Sequence, residues 1–339
     1  MKLNHFDYNL PKDLIAQEPL TQRDSSRLLV LDRKSQTFKE AVFKDAVGYL
    51  KSGDCLVFND TKVIHARLMG KRKTGGKIEV FLYEKIDGAT YKVLLKPGNK
   101  VKPKDKIFFN DRFEAEIDSA EGGFRIARFF CNDDIDEEIE NIGEVPLPPY
   151  IKRPPVQADK SSYQTVYARN RGACAAPTAG LHFTKELLKD IAEKGVKLVY
   201  VTLHVSYGTF APIKTDAIEN HKMHSEYFVL SSEAADIVNK TKQQGKSVIA
   251  VGTTSARVLE SCSHAGTLKA REGWTDLFIY PPYEFKMVDK LITNLHIPKS
   301  TLLLLVSAFA GRDLIFKAYD YAIKEKFRFF SYGDAMLII

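Results

Sequence analysis

Between residues 54 and 130 the hydrophobic positions come in short runs: CLVFND, VIHARLMG, KIEVFLYE, TYKVLL, KIFF, FEAEID and FRIARFF. Gly75-Gly76, Asp87-Gly88, Pro97-Gly98-Asn99 and Gly122-Gly123 punctuate them. β-Branched and aromatic residues between turn formers at this spacing predict an antiparallel barrel or sandwich. The acidic stretch Asp133 to Glu140 and the segment PLPPYIKRPP then read as a linker out of that unit.

Beyond the linker the period changes. Thr184 is placed to cap a helix with Leu187, Leu188 and Ile191 on one face, stopped at Gly195. The strand VKLVYVTLHV follows, then a helix from about Ser232 to Gln244 that ends at Gly245. The strand SVIAVG runs straight into the helical TTSARVLES, and DLFIY and LITNLHI read as further strands. Ser300 caps the apolar helix TLLLLVSAFA, an amphipathic helix spans Arg312 to Lys326, and AMLII is a final strand. Strands alternating with helices predict an α/β unit with largely parallel pairing. The first 60 or so residues fit that unit too. The expected organisation is a discontinuous α/β catalytic domain of residues 1–62 and 151–339, interrupted by an inserted antiparallel β-barrel of residues 63–150.

A chain of 339 residues exceeds the usual extent of one hydrophobic core, and 44% hydrophobic with 27% charged residues is a globular composition. The four cysteines are far apart and form no Cys-x-x-Cys pair, which argues against a zinc ribbon or a disulfide framework. The N-terminus lacks the apolar core of a secretory signal, and the longest apolar run is about half of the ~20 residues a membrane span needs. A cytoplasmic protein without membrane association is expected. The net charge of +7 is unevenly distributed. Residues 60–110 hold thirteen Lys or Arg against five Asp or Glu, whereas residues 111–150 hold three against twelve.

Ligands of α/β folds bind at the carboxyl ends of strands. One predicted strand ends at His204, before Ser206-Tyr207-Gly208-Thr209-Phe210, and another at Gly252, before Thr253-Thr254-Ser255 at a helix start. Free N–H groups and hydroxyls there suit a carboxylate, phosphate or ribose, although Thr and Ser in this position also serve simply as caps. The segment Ala175 to Thr184 combines small residues, Gly180 and His182, and Met223-His224-Ser225-Glu226 sets a histidine beside a carboxylate. No His-Glu-x-x-His, dinucleotide-binding glycine fingerprint or P-loop occurs, so no metal is implied. Lys71, Arg72, Lys73 and Lys77 bracket one turn of the β unit, and Lys92 to Lys106 supply six more lysines around a second. Such lysines often mark a solvated edge; two clusters in one unit favour a surface that tracks phosphates.

The motifs taken together resemble the S-adenosylmethionine:tRNA ribosyltransferase-isomerase family of queuosine biosynthesis. They run from Phe6-Asp7-Tyr8 and Arg23-Asp24-Ser25-Ser26-Arg27-Leu28 through Phe58 to Val63, Gly143 to Tyr150, and Tyr163 to Ala168. They continue with Ala175 to Thr184, Thr202 to Val205, Gly208 to Phe210, Met223 to Glu226 and Val251 to Ser255. Leu291 to Asn294, Pro298 to Leu302 and Phe330 to Met336 complete the match, which covers essentially the whole chain.

The resemblance implies a barrel-like α/β domain interrupted by a small β-barrel. It further implies transfer and isomerisation of the ribosyl part of S-adenosylmethionine onto 7-aminomethyl-7-deazaguanine at the tRNA wobble position. Epoxyqueuosine forms, and adenine and methionine leave. S-adenosylmethionine is then a substrate, no prosthetic group is expected, and tRNA is the partner, with no stable protein partner indicated. By residue type and loop position, His204 and Glu226 are the expected proton-transfer groups, with His182 and His296 behind them. Thr178, Gly180, Gly208, Thr209, Thr253, Thr254 and Ser255 are expected to hold the donor, and Lys71, Arg72, Lys73, Lys77, Lys152 and Arg153 the RNA. Ser206 and Pro282 stand where the family usually has glycine, which bears on donor geometry rather than reaction class. An S-adenosylmethionine-dependent RNA methyltransferase and a non-catalytic RNA-binding protein are the competing readings.

Overall fold

The computed structural model describes residues 1–206, 208 and 213–339. Strands β1 (Arg27–Asp32), β2 (Thr37–Val42) and β3 (Cys55–Asn59) lead to the short β4 (Thr61–Val63). Next come β5 (Arg67–Arg72), β6 (Lys77–Lys85), β7 (Thr90–Lys96), β8 (Lys106–Phe108), β9 (Glu114–Glu121) and β10 (Phe124–Phe130). Helices α1 (Ile135–Ile142) and α2 (Asp159–Ser162) precede β11 (Asn170–Ala173), α3 (Lys185–Glu193), β12 (Lys197–Leu203) and β13 (Glu226–Leu230). After α4 (Ser232–Gln243), β14 (Val248–Val251) and α5 (Gly252–Cys262) come β15 (Ser263–His264), β16 (Thr267–Leu268), β17 (Arg271–Thr275) and β18 (Lys290–Asn294). The chain closes with α6 (Thr301–Ala310), α7 (Arg312–Lys324) and β19 (Ala335–Ile338).

Nine strands form one sheet in the order β17-β13-β12-β3-β14-β18-β19-β1-β2, and β5 to β10 close into a separate antiparallel barrel. This is the α/β architecture interrupted by a β-barrel that the chain pattern predicts. β3 is central and wholly buried, as its unbroken apolar run CLVF requires of a strand covered on both faces. The neighbouring β12, β14 and β18 run parallel to it. The flanks are mixed, so the pairing is less parallel than the sequence predicts: β18 pairs antiparallel with β19, because α6 and α7 bring the chain back to the end it left, setting Ala335 beside Asn294, while β19 and β1 pair parallel and β1 and β2 antiparallel. β13 and β17 add antiparallel strands at the opposite side.

Two sequence expectations are corrected. The acidic stretch read as linker is α1, with Asp134 accepting the Glu137 N–H and three acids in the first turn, where the helix dipole favours them. Its charge hid the Ile135, Ile139, Ile142 stripe that packs on the barrel core. DLFIY is not a strand. The sheet ends at Thr275, opposite Glu226, and the Arg257 guanidinium takes the Thr275 and Leu277 carbonyls that a further ladder would need.

Candidate active site

The parallel strands β12, β3, β14 and β18 bring their carboxyl ends to one edge of the sheet. β3 and β12 pair up to Val201 opposite Asn59. The Asn59 side chain then replaces the ladder: its amide donates to Leu203 O at 2.9 Å and its oxygen accepts Leu203 N–H at 2.9 Å. That staple fixes the residues that follow. Thr61 Oγ1 lies 2.8 Å from His204 Nδ1, and also 3.4 Å from the Asn170 carbonyl. Asp60 is buried beside them, accepting from Thr202 Oγ1 at 2.7 Å and Asn170 Nδ2 at 3.0 Å. Arg169 approaches its other oxygen at 3.3 Å.

Gly172 carries the imidazole on its backbone. An added Cβ would come within 2.9 Å of three ring atoms of His204, and φ is +148°, so only glycine fits. Burial lowers the His204 pKa, and the nearby Asp60 charge opposes that shift. The ring is therefore neutral near pH 7, as a proton acceptor must be.

Glu226 lies one strand away and is engaged differently from His204. Its carboxylate is buried, ion-paired through Oε2 with the Arg257 guanidinium, and accepts the Ser206 N–H on Oε1 at 2.8 Å. Gly208 lies against the ring of the exposed His224, whose Nδ1 is 3.5 Å from the Tyr83 hydroxyl of the barrel. Thr209 is outside the described residues.

A second polar cluster sits over the end of β18. Thr178 donates to Asn294 Oδ1 at 2.8 Å, and Asn294 Nδ2 donates to His182 Nε2 at 3.1 Å. His182 Nε2 is thus an acceptor, which leaves the proton on Nδ1, 2.8 Å from Ser26 Oγ. The ring stacks on Phe43, and burial holds its pKa down at about 3. His296 is similar: Thr293 Oγ1 meets its Nε2 at 2.8 Å, and burial again lowers its pKa to about 3. At Gly180 a Cβ would stand 2.0 Å from the Tyr167 hydroxyl, so this turn packs by its lack of a side chain. Thr253, Thr254 and Ser255 are buried in the first turn of α5; Ser255 bonds back to Val251 O at 2.9 Å. Thr254 Oγ1 has no hydrogen-bond partner among the described residues.

Of the basic candidates, Lys71, Lys73 and Lys77 are exposed on the β5–β6 hairpin and make no ion pair among the described residues. Lys71 and Lys77 border an open groove of about 950 Å³ that also presents Phe108 and Phe130. Arg72 reaches Lys100 O at 3.3 Å. Lys152 is exposed, with Nζ on Pro149 O, whereas Arg153 is held in a two-pronged pair with Asp159 at 2.6 and 2.8 Å.

The geometry therefore joins His204 to Asp60, Thr61, Asn170 and Gly172, and His182 to Ser26, Thr178 and Asn294. Asp60, Thr61, Asn170, Gly172, Ser26 and Asn294 were not singled out as site residues by sequence reasoning. A polar Asn-Asp-Thr triplet immediately after the apolar CLVF is the signal that could have found the first of them.

Comparison with known proteins gives this edge its context. The S-adenosylmethionine:tRNA ribosyltransferase-isomerase of Sulfurihydrogenibium sp. is 54% identical over 340 residues, with all of both chains covered. The protein of that name from Acetivibrio thermocellus is 53% identical over 342 residues, again with full coverage. A crystal structure of S-adenosylmethionine tRNA ribosyltransferase from Thermotoga maritima matches 99% of this chain and 100% of its own at 38% identity and a TM-score of 0.58. The family model described as queuosine biosynthesis protein matches residues 3–338, and with these relatives it shows that the chain belongs to the queuosine biosynthesis protein family.

Proposed function

We propose that this chain is an S-adenosylmethionine:tRNA ribosyltransferase-isomerase. The observation that carries the reading is identity above one half, across the entire chain, to proteins of that activity. Its substrates are S-adenosylmethionine and tRNA bearing 7-aminomethyl-7-deazaguanine, and its products are the epoxyqueuosine-bearing tRNA, adenine and methionine. No prosthetic group takes part, and the reaction belongs in the cytoplasm, where tRNA is modified.

The reaction begins with removal of a proton from the carbon beside the sulfonium, giving an ylide stabilised by the positive sulfur. His204 suits that step. With the Thr61 proton directed to the Asn170 carbonyl, Thr61 Oγ1 accepts from His204 Nδ1–H, which leaves Nε2 as the base. Glu226 is poorly placed to take protons, because its charge is committed to Arg257; its other oxygen holds Ser206 through the Ser206 N–H. His182 and His296 serve as neutral, hydrogen-bonded framework. The Thr178–Gly180 turn and the α5 N-terminus, whose Thr254 hydroxyl has no hydrogen-bond partner among the described residues, would hold polar groups of the donor. The barrel, as the inserted domain of residues 63–150, offers its free lysines to the tRNA backbone.

Incubation with labelled S-adenosylmethionine and precursor-bearing tRNA tests the reading. Adenine and methionine are the expected products. S-adenosylhomocysteine instead would mean a methyltransferase, and no turnover a binding protein.

A further inference from the structure

A cavity of about 210 Å³ opens beside His182, on the side where the segment 19–26, the α2 end and the 328–333 loop converge. Two guanidinium groups line it, Arg23 and Arg328, and neither makes a side-chain hydrogen bond to a carboxylate among the described residues. Arg23 is half-buried, and its amino groups go only to backbone carbonyls: Gln164 O at 2.7 Å, Leu181 O at 3.4 Å and Ser161 O at 2.7 Å. It makes no ion pair among the described residues. Arg328 Nη2 is buried with no hydrogen-bond partner there, and it pairs with Asp334 only loosely, at 3.6 Å. Asp334 directs its oxygens to the backbone N–H groups of Arg27 and Arg328, at 3.1 and 2.8 Å, rather than to the guanidinium. Asp159, the other acid close by, is bound by Arg153 and by the Tyr332 hydroxyl. The cavity thus presents one guanidinium with no ion pair, Arg23, and one with only a loose pair, Arg328, next to the Ser26 and Ser162 hydroxyls. Both arginines also lie close enough to His182 to disfavour its protonation.

Keeping guanidinium N–H groups from water without a hydrogen-bonded anion is costly, and the cost falls once an anion enters. We propose that this cavity is an anion-binding subsite, with Arg23 and Arg328 as the paired donors, that takes a carboxylate or phosphate group. Its volume suits the amino-acid end of a ligand better than an adenosine. His182 bonds Asn294, which bonds Thr178, so the subsite adjoins the polar cluster proposed to hold the donor. Resting on the proposed function, the favoured occupant is the amino-acid carboxylate of S-adenosylmethionine; a tRNA phosphate offers the same chemistry from the other substrate.

Equilibrium binding of three probes to the full chain decides the matter: S-adenosylmethionine, its decarboxylated analogue and inorganic phosphate. Arg328→Gln is the principal variant, since its Nη2 supports no hydrogen bond in the fold, and Arg23→Lys is the second, keeping a cation at that wall. The wild type should bind S-adenosylmethionine about ten- to a hundredfold more tightly than the decarboxylated analogue, the worth of charge-assisted hydrogen bonds. Arg328→Gln should erase that preference while leaving the analogue's affinity unchanged. If the two ligands bind alike but phosphate binds in an Arg328-dependent way, the subsite stands with phosphate as its occupant. Equal binding of the two ligands together with no Arg328-dependent phosphate binding overturns the proposal. Failure of the functional reading looks different: the wild type would then bind no S-adenosylmethionine at all, and phosphate binding alone would still decide the cavity.

Discussion

The hydroxyl of Thr61 and Nδ1 of His204 meet 2.8 Å apart, joining residues 143 positions apart at the ends of two adjacent parallel strands. The contact orients an imidazole whose pKa burial has lowered and the Asp60 charge has partly restored. If His204 is the base, adenine release should persist below the ordinary histidine range and fall as pH drops through the lowered value. Asp60→Asn removes the charge that favours the imidazolium, so the acid limb should move to still lower pH. His204→Gln should abolish the limb together with most of the turnover, typically 10²–10⁴-fold for loss of a general base. A pH–rate profile of kcat for the three proteins reads this out; an unchanged rate in His204→Gln removes His204 from the chemistry.

Gly172 lies under the same ring. Gly172→Ala puts a methyl group within 2.9 Å of three imidazole atoms and asks alanine to adopt φ near +148°. The strain costs about 1–3 kcal/mol, and relieving it must turn the ring away from Thr61. Turnover should therefore fall further than stability does. Urea denaturation alongside single-turnover kinetics separates the two, and a variant as active as the wild type would show that the ring position does not matter.

Much of this was legible before the fold was known. The alternation of strands and helices, the barrel, and helix starts at Thr184, about Ser232 and Ser300 all follow from period and capping chemistry, which are local. The site was legible only in part. His204 was visible as a histidine ending an apolar strand, but Asp60, Asn170 and Gly172 become its neighbours only through the pairing of β3 with β12 and of β4 with β11. Glu226 looked like a proton acceptor because its partner, Arg257, lies 31 residues away on another element. Arg153 looked like a free cation for the same reason, since Asp159 holds it through a fold of the chain that charge counting does not reveal.

The Glu226–Arg257 pair is buried, with side-chain exposures of 1% and 5%. Removing one partner strands the other charge away from water, so Arg257→Met should cost about 3–5 kcal/mol of stability. In the double variant Glu226→Gln, Arg257→Met neither charge remains, and the loss should be clearly smaller than the sum of the single losses. Chemical denaturation of the four proteins of this cycle measures the coupling. Additive losses would mean that the pair holds nothing jointly, and the anchoring of Ser206 by Glu226 would need another explanation.

The hairpin cations test the RNA face. Lys71, Lys73 and Lys77 are exposed and free of ion pairs among the described residues, whereas Arg153 is neutralised by Asp159. Phosphate contacts release counterions, so log affinity for tRNA should fall linearly with log salt, with a slope of about 0.7–0.9 for each phosphate neutralised. Changing Lys71, Lys73 and Lys77 to Gln should weaken binding and flatten that slope by up to about two to three units, in proportion to the phosphates these lysines neutralise. Lys152→Gln should act through a single phosphate at most. Arg153→Gln should chiefly destabilise the segment around Asp159, leaving the slope as it is, because its charge is not offered to solvent anions. Filter binding across a salt series distinguishes these cases: a triple variant with wild-type affinity and slope would move the tRNA off the barrel hairpin.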